Sequence, residues 1–339
     1  MNSHRPPSQT GAAHGRIVES AFRPHPLLRG AHAQTVLPTL CRPLPRLPLQ
    51  IERLELPDGD FVDLGWSGSR EASRIAVLVH GLTGGFESKY LRGTALRLNA
   101  MGWRTVALQL RGAGAEPNRT ARYYNHGDTA DLRHLWQLLR KRHPQARLAA
   151  VGWSLGANVL LNALAQEGAT APLLAAVAAS APLQLAPCAE RLRRGFSRVY
   201  QRRLLEALKL SLMTRHRLVP VPEGVDLEGA LVARDFFEFD DRYTAPLNGY
   251  RDAADYYARC SGGRALTTIP VNTRVINAID DPFMTPEILP SAASLAPAVT
   301  LELSPSGGHV GFVGSDTLGR PEFWLERRIA EHLQAEVPG

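Results

Sequence analysis

Gly152-Trp153-Ser154-Leu155-Gly156 sets a hydroxyl between two glycines, with an apolar run (Leu148–Val151) before it and a helix-like run (Ala157–Gln166) after it. A G-x-S-x-G sequence on a strand-to-helix turn holds its serine on a strained elbow at the top of a parallel sheet. A side chain at either glycine would meet the neighbouring strand or helix as the chain reverses. The N–H groups that open the following helix favour negative charge developing at the hydroxyl. The alternative is a glycine-rich turn with a capping serine. The strand before and the helix after favour the elbow.

Serine is a poor nucleophile until a base takes its proton, and an acid must orient that base. On such a sheet the chain order is Ser, then Asp or Glu, then His. Ser306-Gly307-Gly308-His309-Val310-Gly311-Phe312 follows an apolar strand, Val299–Leu303, and its glycines let the backbone carry His309 close. His309 is the expected base. The preceding strand ends in Asn277-Ala278-Ile279-Asp280-Asp281-Pro282, with two carboxylates pointing different ways. Pro282 holds Asp281 extended, so Asp281 is the expected acid and Asp280 a turn or loop cap. Two backbone N–H groups must await the oxyanion. Leu155 should give one and Leu82, in His80-Gly81-Leu82-Thr83-Gly84-Gly85, the other. His80 itself reads as a structural hydrogen-bonder.

The elements that position these groups alternate. Leu49–Leu56 and Phe61–Trp66 read as a hairpin turning at Asp58-Gly59. Ile75–His80 is a buried strand, Tyr90–Ala100 a helix and Arg104–Leu110 a strand. A long loop, Arg111–Gly127, leads to a helix at Asp131–Arg142, then the elbow strand and its helix, then a strand at Leu173–Ser180. Strand–helix alternation calls for an α/β fold with a mostly parallel sheet covered on both faces. From residue 183 to about 263 the pattern is helical, an insertion that interrupts one α/β domain. Thr273–Ala278, Val299–Leu303 and a closing amphipathic helix, Pro321–Gln334, complete it. The expected organisation is a disordered lead-in over 1–20 and an arm packed on the core over 21–48. The core follows over 49–182 and 264–339, split by a helical lid over 183–263.

Composition excludes several classes. The 339 residues are 44% hydrophobic and 21% charged, which suits a soluble chain able to bury a full core. No run of about 18 apolar residues would span a bilayer, and Met1–Gly15 lacks the apolar stretch of a secretory signal. Cys41, Cys188 and Cys260 are odd in number and far apart, so no disulfide framework or zinc site is expected and a reducing cytoplasm is the expected location. Net charge is +7, yet lysine occurs only at Lys89, Lys141 and Lys209. No aromatic-plus-basic motif accompanies the arginines, which argues against nucleic acid as partner.

Further stretches join the pattern: His25–Thr35, Arg111-Gly112, Glu116-Pro117-Asn118-Arg119, His126-Gly127-Asp128-Thr129 and Asp280-Asp281-Pro282-Phe283. Together with the His80–Gly85 loop, the elbow and Gly307–Phe312, they resemble the YheT-like hydrolases, the α/β-hydrolase branch related to the eukaryotic ABHD lipid esterases. The resemblance runs from about residue 20 to 335. It implies an α/β-hydrolase fold and a serine carboxylester hydrolase for short- to medium-chain acyl esters, with Ser154, Asp281 and His309 at the charge-relay positions. No metal or organic cofactor is required. The partner is a small acyl ester, with lipids among the relatives' substrates.

Two stretches carry weighed alternatives. Asp128 reads as the N-cap of the next helix, against a place for His126 at the site mouth. In the insertion, Leu192, Phe196, Val199, Leu204, Leu208 and Leu212 follow helical spacing among many arginines. The apolar stripe is expected to cover the acyl pocket, with the charges on a solvated face; a basic face for anionic lipid is the alternative. Two rivals to the esterase share these features: an acyltransferase or thioesterase with the same triad, and a non-enzymatic lipid-binding scaffold. The sequence leaves oligomeric state open.

Overall fold

The computed structural model describes residues 14–316 and 319–339; the first thirteen residues of the expected lead-in lie outside them. In chain order the elements are β1 (Arg16–Glu19), α1 (Ala31–Cys41), β2 (Gln50–Glu55), β3 (Phe61–Ser67), β4 (Arg74–Val79), α2 (Lys89–Ala100), β5 (Arg104–Gln109), α3 (Ala130–Arg142), β6 (Arg147–Trp153), α4 (Leu155–Glu167) and β7 (Leu173–Ala179). Six helices follow: α5 (Leu185–Leu192), α6 (Ser197–Arg215), α7 (Leu227–Val232), α8 (Phe236–Phe239), α9 (Ala245–Leu247) and α10 (Ala253–Cys260). Then come β8 (Asn272–Ala278), β9 (Val299–Ser304), β10 (Val313–Ser315), β11 (Pro321–Phe323) and α11 (Trp324–Glu336).

The main sheet runs β1-β9-β8-β7-β6-β4-β5-β3-β2. Its pairs are parallel except β2 with β3 and β3 with β5. The β2–β3 hairpin turns through Gly59 at φ 80°, a conformation glycine adopts at little cost. β4 and most of β6 and β7 are buried, as continuous Val/Ala/Leu runs on both sheet faces require. One face packs α2 and α11 over Leu78, Val151 and Val177; the other packs α3, α4 and the insertion helices over Val77, Ala150 and Ala176. From β4 the chain steps to β5 on one side and then to β6 on the other. Strand order therefore reverses at the carboxyl ends of β4 and β6, the place where open α/β sheets bind ligands.

Residues 16–19, assigned from sequence to an unstructured lead-in, instead form β1, the edge strand parallel to β9. Ser20 Oγ donates to Glu302 Oε1 at 3.1 Å just beyond it. A parallel pair joining residues this far apart leaves no local sequence pattern. The arm that follows contains a helix, α1, with Pro38 inside it, which its sequence does not signal. The expected closing helix starts three residues late, because Pro321–Phe323 pairs with Val313–Ser315.

Candidate active site

The loops after β4, β6, β8 and β9 converge at the reversal of strand order. After β6, Ser154 takes φ 53° and ψ −119°, a strained conformation for a residue with a Cβ. Both glycines around it are sterically required. A Cβ on Gly156 would lie 2.3 Å from Val79 O of β4, and one on Gly152 would lie 2.4 Å from Gly156 O. Ser154 N–H donates to Ala179 O at 2.9 Å, pinning the elbow to β7.

His309 arrives from the loop after β9. Its Nε2 lies 2.9 Å from Ser154 Oγ and its Nδ1 2.8 Å from Asp281 Oδ2. Asp281 is 3% exposed, and its Oδ1 accepts from Phe283 N–H at 2.8 Å. With the carboxylate facing Nδ1, that nitrogen carries the proton and Nε2 is free to accept from the serine hydroxyl. Phe283 stacks on the imidazole with centroids 4.0 Å apart. Asp280 turns away and accepts from Gly308 N–H at 2.9 Å, the loop-capping part expected of it. Successive positions thus divide two carboxylates between two jobs.

The loop after β4 lies over the serine, close enough that a Cβ on Gly81 would meet Ser154 Cβ at 3.2 Å. Gly81 N–H donates to Tyr90 OH and Thr83 N–H to Tyr124 OH, each at 2.9 Å. Gly84 N–H donates to Gly81 O at 3.0 Å and Gly85 N–H to Ser88 Oγ at 3.0 Å. Leu82 N–H alone of this run has no acceptor among the described residues. Leu155 is the first residue of α4, whose opening N–H groups have no partner within the helix. His80 is buried beneath the loop. Leu110 N–H donates to its Nε2 at 3.1 Å, so Nδ1 carries the proton and donates to Gly81 O at 2.8 Å. Burial pushes its pKa down to about 4, so the ring stays neutral and serves the backbone.

Several contributors escape a reading of the sequence. Thr35 Oγ1 accepts from His309 N–H at 2.9 Å, and Gln34 exchanges two hydrogen bonds with the Val313 backbone at 2.6 and 3.0 Å. Cβ atoms on Gly308 and Gly311 would strike Ala31 O and Gln34 O at 2.5 and 2.1 Å. The arm is therefore packed directly on the loop that carries His309. Tyr90 and Tyr124 act likewise on the loop after β4. Only the arm motif itself, His25–Thr35, signalled any of this.

Asp128 does not cap α3. Its carboxylate is taken by Arg122, and Thr129 stands at the N-cap without a side-chain bond. Below it, Arg111 clamps Asp131 through Nε at 2.6 Å and Nη2 at 2.8 Å, and reaches Asp60 at 3.2 Å. Burial alone would raise the Asp60 pKa. Hydrogen bonds from Thr120, Arg119 and Asn118 outweigh that and hold it below the usual carboxylate range. This network orders the long loop 111–127.

Two cavities meet at Ser154. One, of about 100 Å³, runs under the insertion past Leu185, Leu192, Leu208, Phe236 and Met284. The other, of about 540 Å³, opens between α1, the loop after β4 and α6. His126 lines the first. Of the predicted stripe, Leu192, Leu204 and Leu208 also line it and Leu212 is buried. Phe196 and Val199 are instead exposed: Phe196 lies in the break between α5 and α6, and Val199 is five residues before Leu204 on α6, about 140° round the helix from it.

An elbow serine where strand order reverses, with carboxylate and imidazole following in that order from the next loops, is the plan of hydrolases built on an α/β sheet. The chain belongs to the alpha/beta hydrolase fold family, whose model matches residues 77–316, and within it to the YheT-like branch. It is 42% identical over 305 residues to the Escherichia coli protein named "Putative esterase YheT", covering 89% of each chain. It is 29% identical over 333 residues to mouse phospholipase ABHD3, covering 96% of this chain and 80% of that one. Among solved structures it is similar to DcsB in complex with a substrate analogue (TM-score 0.56, 15% identity, 86% and 100% of the two chains). The Pyrococcus furiosus esterase Pf2001 is comparable (TM-score 0.54, 17% identity, 85% and 93%). These two likenesses concern the fold alone. No helix among the described residues is long and apolar enough to cross a membrane.

Proposed function

We propose that this chain is a serine carboxylester hydrolase for short- to medium-chain acyl esters, working through an acyl-enzyme. The observation that carries it is the unbroken line from Asp281 through His309 to Ser154, with 2.8 and 2.9 Å contacts. Ser154 Oγ attacks the ester carbonyl carbon while its proton passes to His309 Nε2. Leu82 and Leu155 N–H groups receive the oxyanion. As the tetrahedral adduct collapses, the bond to the alcohol oxygen breaks and His309 returns the proton to it. Water then attacks the acyl carbon, giving His309 a proton that goes back to Ser154 as the acid leaves. Asp281 holds the imidazole in the required tautomer and offsets its charge. The small cavity takes the acyl chain, the insertion helices act as its lid, and the larger cavity takes the alcohol. Relatives named as an esterase and a phospholipase point the same way.

Replacing Ser154 with alanine tests this reading. Turnover of p-nitrophenyl butyrate should vanish with the melting temperature kept. Retained turnover refutes it. The roomy second cavity also favours an acyltransferase reading, in which an alcohol replaces water. The yeast "Medium-chain fatty acid ethyl ester synthase/esterase 2", 30% identical over 76% of this chain and 61% of its own, carries both activities in its name. Ester product formed in the presence of ethanol, measured against free acid, separates the two.

A further inference from the structure

The acyl-side cavity is not uniformly apolar. Among its leucines and phenylalanines stand Asp240, Thr244, Tyr257 and His126. Asp240 Oδ2 accepts from Tyr257 OH at 2.7 Å. The groups acting on this carboxyl are Thr244, Tyr257 and Asp235, none of them a cation. A carboxylate so placed is costly to leave against alkyl chain, because transfer of a charged group from water needs a compensating hydrogen bond. The backbone supports the same position. Asp240–Thr244 forms a π-turn between α8 and α9, a rare departure from α-helix that is frequent at functional sites. On the same cavity, His126 Nδ1 is buried without a hydrogen-bond partner among the described residues. A purely alkyl occupant would leave His126 Nδ1 unpaired and give the Asp240 carboxylate no donor beyond Tyr257 and Thr244.

We propose that this pocket selects acyl chains bearing a hydroxyl group, which donates to the Asp240 carboxylate beside Tyr257, so that the preferred substrates are hydroxyacyl esters. The proposal rests on the hydrolase reading above and names its substrate class. A neutral donor fits better than an ion. A carboxylate on the chain would face Asp240, and an ammonium would lose its water among the leucines for one counter-charge. Burial also pushes the Asp240 pKa up to about 6, which leaves it mostly a carboxylate, and so an acceptor, at neutral pH. Burial likewise lowers the His126 pKa to about 3, so that ring offers no positive charge.

The experiment compares kcat/KM for p-nitrophenyl octanoate with its 3- to 8-hydroxy isomers and its 8-amino analogue. The wild type should favour at least one hydroxy isomer by about tenfold. Asp240→Leu should reverse that ratio toward plain octanoate. Asp240→Asn, which keeps an oxygen for Tyr257 OH and serves if the leucine variant fails to fold, should shrink it. Every ratio is taken within one variant, and fluorophosphonate labelling of Ser154 reports that each is folded. A wild type that prefers octanoate to every hydroxy isomer overturns the proposal, as does one that prefers the amino chain. Ratios unmoved by either substitution overturn it too, leaving Asp240 as a pin for Tyr257. Absence of any ester turnover or labelling in the wild type is a different failure, that of the hydrolase reading itself.

Discussion

The hydroxyl of Thr35 accepts the backbone N–H of His309 at 2.9 Å across 274 residues of sequence. The arm before the hairpin thus fixes the height of the imidazole above the elbow, although it contributes nothing to the central strands of the sheet. Thr35 is a positioning residue. Thr35→Val keeps the shape and removes the acceptor, leaving a backbone N–H unpaired at a cost of about 1–3 kcal/mol. Turnover should fall about tenfold in kcat with KM little changed, and fluorophosphonate labelling of Ser154 should slow in step. Thr35→Ser should restore most of the rate. A loss confined to melting temperature would make the contact structural only.

Asp280 and Asp281 are neighbours in sequence and part company in space. Asp281→Asn keeps its oxygen for Phe283 N–H and turns an NH2 group toward His309 Nδ1, so the tautomer is lost and kcat should drop by about 10⁴-fold. Asp280→Asn retains an oxygen for Gly308 N–H and should stay within about threefold of wild type. Equal losses in the two variants would contradict the division of labour seen in their contacts.

How much of this was legible in the sequence divides along a physical line. The elbow, the Asp-Gly hairpin and the separate parts of Asp280 and Asp281 follow from residues within a few positions of one another, where sterics and proline restrict the chain. β1 escaped because its partner is β9, and parallel pairing over such a span has no local signature. Thr35 and Tyr124 escaped because their partners lie 274 and 41 residues away; Tyr90, nine residues from Gly81, escaped because no sequence pattern marks a side chain that caps a loop N–H. Asp128 misled because a capping preference is worth about 1 kcal/mol and an arginine, Arg122, competes for the same carboxylate. Phe196 misled because a helical period was carried across the break between α5 and α6, and Val199 because its spacing of five from Leu204 puts it off the buried face of α6.

Gly156 faces β4 with no room to spare. Gly156→Ala would drive a Cβ to 2.3 Å from Val79 O and 2.4 Å from His80 O, both backbone atoms that cannot rotate aside. The expected loss is at least about 3 kcal/mol of stability in urea unfolding, at the upper end for overpacking, together with most of the turnover. A variant as stable as wild type would show that the elbow has slack.

Acid should unfold the protein well before its carboxylates titrate fully. His80, His126 and His332 are held neutral by burial, with pKa values pushed down to about 4, 3 and 3. Unfolded, each titrates near 6.5. Below that value the unfolded chain binds more protons than the native one, so stability present at pH 7 is lost as pH falls from about 6.5 toward 4 and below. His80, wholly buried, accounts for roughly 3 kcal/mol of that fall. Urea midpoints measured from pH 7.5 to 4.5 should decline across this window, and His80→Gln should flatten the slope. A midpoint constant between pH 7 and 5 would contradict the neutral assignment.

The most direct test of the central claim is to trap the acyl-enzyme. Acid quench within milliseconds of mixing with p-nitrophenyl butyrate, followed by peptide mass spectrometry, should find one butyryl group on the peptide holding Ser154. Its yield should match the burst of p-nitrophenol, and Ser154→Ala should give neither. An acyl group recovered on another residue, or a burst that survives in Ser154→Ala, would contradict the account.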